Sequence, residues 1–72
     1  MMNWNYAKLR GRIKEIFGTQ EAFAKAIGIS SVSLSQRLNN VLEFTQEEIF
    51  NSCEVLNIPL TDMMSYFFTK IV

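Results

Sequence analysis

The run Thr19-Gln20-Glu21-Ala22-Phe23-Ala24-Lys25-Ala26-Ile27-Gly28-Ile29-Ser30-Ser31-Val32-Ser33-Leu34-Ser35-Gln36-Arg37-Leu38-Asn39-Asn40 reads as two short helices broken by one turn. Thr19 offers its hydroxyl to an orphan N–H at the start of the first helix, Gln20–Ile27. Gly28 stops that helix, because glycine takes positive φ at no steric cost. Ser30 caps the second, Ser31–Leu38, which places Leu34 and Leu38 on one face at i, i+4 spacing. Ala24 is small where the second helix must cross close to the first, and Phe23, Ile27, Ile29 and Leu34 supply the apolar contacts at the crossing. Two helices joined by a turn of about three residues that contains glycine form a helix-turn-helix motif. An isolated Ala-x-x-x-Gly would say little; a string that satisfies each position says much more.

Working outward, Tyr6, Leu9, Ile13, Ile16 and Phe17 form an apolar stripe at i, i+3, i+4 spacing, opposite Lys8, Arg12 and Glu15. This predicts a helix over 5–17, ended by a left-handed Gly18. On the other side, Thr45-Gln46-Glu47-Glu48 is a capping box. It opens a helix over 46–56 whose buried face is Ile49, Cys53 and Leu56, with Phe50 at its margin. Pro59 forbids continuation, and a last helix over 61–68 carries Met64, Phe67 and Phe68. No stretch alternates with period two. The expectation is an all-α, compact five-helix domain over residues 1–72, with residues 1–4 flexible. Its core is expected to hold Leu9, Ile13, Phe23, Ala24, Ile27, Leu34, Leu38, Ile49, Leu56 and Phe67.

Composition narrows the function classes. At 72 residues the chain buries only about 60% of its unfolded surface, so it needs an apolar-rich core, and 49% of its residues are hydrophobic. The single cysteine, Cys53, excludes an intramolecular disulfide, and with no histidine a Cys/His metal site is excluded too. Cys53 reads as a small buried hydrophobe. No apolar run exceeds three residues, so neither a membrane span nor a signal-peptide core is expected, and the chain reads as cytoplasmic. An enzyme is not expected: there is no cysteine–base pair, no nucleophile elbow and no phosphate-cradling glycine loop. Glu47 and Glu48 are adjacent and point to different helix faces, as first-turn acids favoured by the helix dipole. The net charge of zero hides a split. Residues 1–40 carry six basic and two acidic side chains, +4; residues 41–72 carry one and five, −4.

From about Leu9 to Phe68 the sequence resembles the Cro/C1-type regulators of temperate phages, on the residues of the 19–40 run. The tail, Leu56-Asn57-Ile58-Pro59-Leu60 followed by Tyr66-Phe67-Phe68, is similar to a subgroup of very short phage regulators, the small antirepressors of lactococcal temperate phages. The resemblance implies a regulator of the lytic–lysogenic switch that grips the DNA-binding domain of the phage's own repressor. Its alternative, within the same family, is a Cro-like repressor that binds operator DNA directly through helix 31–38. Family members read bases from the start of the third helix, which the resemblance carries to Ser31, Val32, Ser33 and Gln36. Phosphate contacts fall on Gln20, Asn39 and Asn40, with Arg10, Lys25 and Arg37 as further candidates. Arg37 stands where many relatives have an apolar residue; Leu38 takes that role, leaving Arg37 for phosphate or for an acid such as Glu47.

The residues also weigh these two readings. Arginine and lysine make the commonest base contact, bidentate to guanine, and glutamine pairs with adenine. Here only Gln36 offers a bidentate amide, and Val32 a methyl surface for thymine. With few basic groups near the docking face and a sequence pI of about 6.2, the chain is expected to bind DNA weakly on its own. A protein-binding regulator would use either Val32, Ser35 and Gln36 on the reading helix, or the acids Glu43, Glu47 and Glu48, both of the last two being expected at the surface. Trp4, Val41, Met63, Ile71 and Val72 are apolar residues to spare for such a surface. The last helix and Ile71–Val72 are the only candidates for a dimer contact. The expected partner is the cognate repressor, with no cofactor, metal, membrane or small-molecule substrate.

Overall fold

Helix boundaries follow from their caps. The computed structural model describes residues 3–71. It contains α1 (Ala7–Phe17), α2 (Gln20–Ala26), α3 (Ser31–Leu38), α4 (Gln46–Val55), a 3-10 turn (Leu60–Asp62) and α5 (Met63–Phe67). Thr19, Ser30 and Thr45 each accept a hydrogen bond from the backbone N–H three residues on, so α2, α3 and α4 begin where the sequence placed them. The capping box at α4 is complete: the Thr45 N–H donates to Glu48 Oε1 at 3.0 Å and the Glu48 N–H to Thr45 Oγ1 at 3.1 Å. No strand occurs among the described residues, and the fold is all-helical as expected.

Three helices end in one way. After α2 the Ile29 N–H donates to Ala24 O, after α3 Val41 to Gln36 O, and after α4 Ile58 to Cys53 O, at 3.0, 2.8 and 2.9 Å. The pivot residues Gly28, Asn40 and Asn57 have φ of 80°, 62° and 53°. This is the Schellman arrangement, in which the residue after the left-handed pivot turns back onto the helix. Asparagine serves as pivot twice because its short polar side chain tolerates that conformation. The arrangement also explains Ile58, a buried residue absent from the expected core: it is thrown inward by the Asn57 pivot.

The residues expected in the core are all buried, and Leu9, Phe23, Leu34 and Leu56 are fully so. Tyr6, Cys53, Ile58 and Ser52 join them. Ser52 is tolerated because its hydroxyl donates to Glu48 O one turn back, at 2.6 Å. Phe44 bridges Tyr6 and Phe67, edge-on to both at 5.5 and 5.3 Å between ring centroids.

Several expectations are corrected. Residue 4 is not loose: Trp4 is half-buried, stacks edge-on against Phe68 at 5.4 Å and forms a single antiparallel bridge with Lys70. Asn5 N–H donates to Thr69 O at 2.7 Å, so the two ends of the chain hold each other. Met63, expected to be spare, is half-buried against the core, whereas Met64, expected inside, is exposed. Ile16, at the edge of the α1 stripe, is exposed as well. The last helix is shorter than 61–68, because the Asp62 N–H closes on Pro59 O and winds its first turn tightly. Met1, Met2 and Val72 lie outside the described residues, and with them the expectations placed on Val72 and on the first two residues. No helix among the described residues is long and apolar enough to cross a membrane.

Candidate functional site

Two surfaces compete. The first is the outward side of α3 with the start of α2. Ser31 and Val32 are exposed, Val32 by 70%, and Ser33, Ser35 and Gln36 are half-buried. Their hydroxyls are already engaged in part. Ser30 Oγ donates to Ser33 Oγ at 3.0 Å, and Ser35 Oγ accepts from Asn39 Nδ2 at 3.2 Å. Gln20 and Lys25 are exposed on α2. Arg10, Lys14, Thr19 and Gln20 line a shallow cleft where α1 ends and α2 begins.

The cations around this surface are largely turned inward. Arg10 donates to Leu38 O and Asn39 Oδ1, both at 3.1 Å, closing the carboxyl end of α3. Arg12 does the same for α4, with Nε on Leu56 O at 2.9 Å, and it also pairs with Glu15. Arg37 grips Glu48 with two hydrogen bonds, Nε to Oε1 at 2.7 Å and Nη2 to Oε2 at 3.1 Å, and places Nη1 on Ser33 O at 3.0 Å. Both side chains of that pair are mostly buried, at 14% and 12% exposure. Burial alone would raise the Glu48 pKa, but the Arg37 guanidinium and the Thr45 backbone and hydroxyl outweigh it and hold the carboxyl below its ordinary value. Arg37 and Glu48, expected on phosphate and on a partner, hold each other instead, and the acid that Arg37 meets is Glu48 rather than Glu47. The expected exposure of Glu48 is corrected for the same reason: its capping position faces α3.

Asn40 is also turned away from the α3 surface. Its Oδ1 accepts from Trp4 N–H at 2.8 Å and its Nδ2 donates to Trp4 O at 3.0 Å, pinning the start of the chain. Lys8 leans to α5, with Nζ 3.1 Å from Ser65 Oγ and 4.5 Å above the Tyr66 ring centroid. Near α3, the lysines Lys14 and Lys25 are the exposed cations, with Arg10 half-buried beside them.

The second surface lies on α4 and α5. A groove of about 420 Å³ runs between them, lined by Gln46, Ile49, Phe50, Leu60, Met63 and Phe68. It shares Gln46, Ile49 and Phe68 with a neighbouring cavity lined by Trp4, Tyr6, Glu43 and Phe44. Phe50, Leu60 and Met64 are all more than half exposed here. Burial, and then the nearby Glu43 carboxylate, raise the Tyr6 pKa. Glu43 and Glu47 are exposed, as expected of partner-contacting acids. The groove itself escaped the sequence reading. Phe50 stands at the margin of the expected buried face and Leu60 falls just ahead of the expected last helix, 61–68; the signal available was an aromatic at i+3 from Glu47 with no core position left for it.

Two comparisons with known proteins bear on this geometry. Residues 2–70 match the family model described as "Protein of unknown function (DUF739)". The fold is similar to the solution structure of the modulator of repression (MOR) of the temperate bacteriophage TP901-1 from Lactococcus lactis. That similarity has a TM-score of 0.80 and 37% identity, and covers 93% of this chain and 90% of that one. No curated protein matches.

Proposed function

We propose that this chain, which belongs to the DUF739 family, is a phage antirepressor that binds the DNA-binding domain of its cognate repressor. The observation that carries this reading is the likeness to a phage modulator of repression across nearly the whole chain. Under this reading the chain acts in the host cytoplasm, by binding and not by catalysis, and α2 and α3 form a Cro/C1-type helix-turn-helix kept as a scaffold. The disposition of charge supports it. A repressor must present cations to operator phosphates. This chain directs Arg10, Arg12 and Arg37 onto its own backbone and onto Glu15 and Glu48, while Glu43 and Glu47 stay exposed.

A second reading is favoured by one feature, the exposed Ser31 and Val32 at the start of α3, with the half-buried Gln36 one turn on. There a Cro-like repressor would read bases. The two readings separate in one experiment. The chain is titrated into a complex of operator DNA and the repressor from the same genome, at 0.15 M salt, and followed by fluorescence anisotropy of the labelled DNA. The antirepressor reading expects release of free DNA at a stoichiometric ratio and no complex between this chain and the DNA. Replacement of one protein–DNA complex by another would establish the Cro-like reading instead.

A further inference from the structure

We infer that the cavity between the first residues of the chain, the loop ahead of α4 and the end of α5 binds a small organic cation, an ammonium group carrying methyl groups. This site is independent of the antirepressor reading and goes beyond it. The cavity measures about 150 Å³. An apolar cavity of that order takes up benzene, and a trimethylammonium group is of similar bulk. Trp4, Tyr6, Phe44, Phe67 and Phe68 wall it, and among the described residues of its lining Glu43 is the only charged one. The rings meet near right angles: Trp4 on Phe68 at 87°, and Phe44 on Tyr6 and Phe67 at 81° and 86°. Rings in this arrangement form corners and not a stack, so each edge adjoins a face. Ring faces carry the negative side of the aromatic quadrupole and attract cations, and sets of them recognise quaternary ammonium ions.

Two oxygen-bearing groups select a cation over a neutral guest. Tyr6 is only 5% exposed. Its hydroxyl has no hydrogen-bond partner among the described residues, and it is not sealed from solvent either. A buried phenol ordinarily finds a partner; this one opens on the cavity that its ring lines. The Glu43 carboxylate is near enough to raise the pKa of this hydroxyl without bonding to it. Together they set a negative potential at one side of an aromatic box, where an anion would be repelled. A bare ammonium has three N–H donors to satisfy and would meet too few acceptors. A methylated nitrogen spreads its charge over methyl groups, which the rings can cover while Glu43 balances the charge. The box is also held in shape before any ligand arrives, which lowers the cost of binding. Asn40 fixes both polar groups of the Trp4 backbone, at 2.8 and 3.0 Å, and the Asn5 N–H closes on Thr69 O at 2.7 Å.

A proton–nitrogen NMR titration of the full chain with choline tests this, with sodium chloride at matched ionic strength as the blank. The chain has one tryptophan, so its indole N–H signal reports on the cavity wall. Choline is expected to shift that signal and the amides of Phe44 and Phe68 saturably, with a Kd of about 1–10 mM. Dimethylbutanol, the isostere of choline with carbon in place of the charged nitrogen, is expected to bind about tenfold more weakly. Glu43→Gln alters an exposed residue and is expected to weaken choline binding about fivefold while leaving the alcohol unchanged. Trp4→Leu is expected to weaken it about tenfold, and thermal melting verifies that this variant stays folded. The amide of acetylated trimethyllysine separates two sources of the group. Tighter binding than choline assigns it to a modified protein side chain, and equal or weaker binding to a free small molecule. The assignment is overturned by the absence of a saturable shift up to about 50 mM choline, or by an alcohol that binds as tightly as choline. Choline binding to Glu43→Gln within about twofold of the wild type would overturn it equally. None of these outcomes bears on repressor binding, so the antirepressor reading stands or falls separately.

Discussion

In α1 and α3 the arginines reach inward to carbonyls and carboxylates, whereas on α4, before it and in the turn ahead of α5 every carboxylate but Glu48 stays exposed to solvent. Arg10 and Arg12 close the ends of α3 and α4, and Arg37 ties α3 to the first turn of α4 through Glu48. Glu43, Glu47, Glu54 and Asp62 do nothing comparable. The formal charges of the two halves are equal and opposite, +4 and −4, yet of the six basic side chains in the first half only Lys8, Lys14 and Lys25 stand exposed, against four of the five acids in the second. A cation that caps a helix contributes to the fold and is lost to a ligand. The lesson is that charge counted along a sequence overstates what a basic half can offer DNA.

The contrast can be broken from below by removing the support of α3. Leu34 has no exposed surface. Leu34→Ala should cost about 2–5 kcal/mol in a denaturant titration, from lost transfer energy and the cavity left behind. A loss below about half a kcal/mol would mean that α3 does not rest on this core.

Next comes the tie between the regions. Arg37→Ala leaves Glu48 half-buried without its partner and should cost about 2–3 kcal/mol. Arg37→Met combined with Glu48→Leu should recover much of that, since an apolar pair removes both charges together. If the single variant melts like the wild type, Arg37 is free after all, and the positive half has more to offer than its geometry indicates.

The same tie predicts an acid sensitivity. Glu48 is held below its ordinary pKa in the folded chain. Its contribution is therefore fully present above the unfolded value of about 4.3. It is lost as pH falls through the lower folded value. Melting temperature should drop through that acid range in the wild type and drop less in Arg37→Ala. Equal slopes would remove the pair from the account.

The smallest effect sharpens the negative side. Glu43→Gln with Glu47→Gln should shift stability by no more than about 0.5 kcal/mol, because both are exposed and unpaired. A larger loss would show that these acids also serve the fold.

Much of this architecture was legible in the residues. Thr19, Ser30 and Thr45 announce helix starts through capping, which is local chemistry, and the apolar spacing of Leu9, Ile13, Leu34 and Leu38 fixes the buried faces. What escaped depends on contacts distant in sequence. Asn40 looks like a surface turn residue until Trp4 is found on its side chain, thirty-six positions away. Ile58 is buried by a left-handed pivot at Asn57, and Arg37 chooses Glu48 over Glu47 because the capping box has already aimed Glu48 toward α3. On the site, the acids and α3 could be named from the sequence, but the groove could not. Phe50, Leu60 and Met63 come together only when the turn after Pro59 folds back along α4.

The most direct measurement is the affinity of the chain alone for duplex DNA as a function of salt. If the arginines are spent within the fold, Lys14 and Lys25, with Arg10 in part, are the cations left beside α3. The account predicts a dissociation constant in the non-specific range of about 10⁻⁴–10⁻⁶ M at 0.15 M salt, with log K falling by only about two to three per decade of salt. Nanomolar binding to one sequence, with a steeper slope, would contradict it and return the chain to the direct DNA-binding reading.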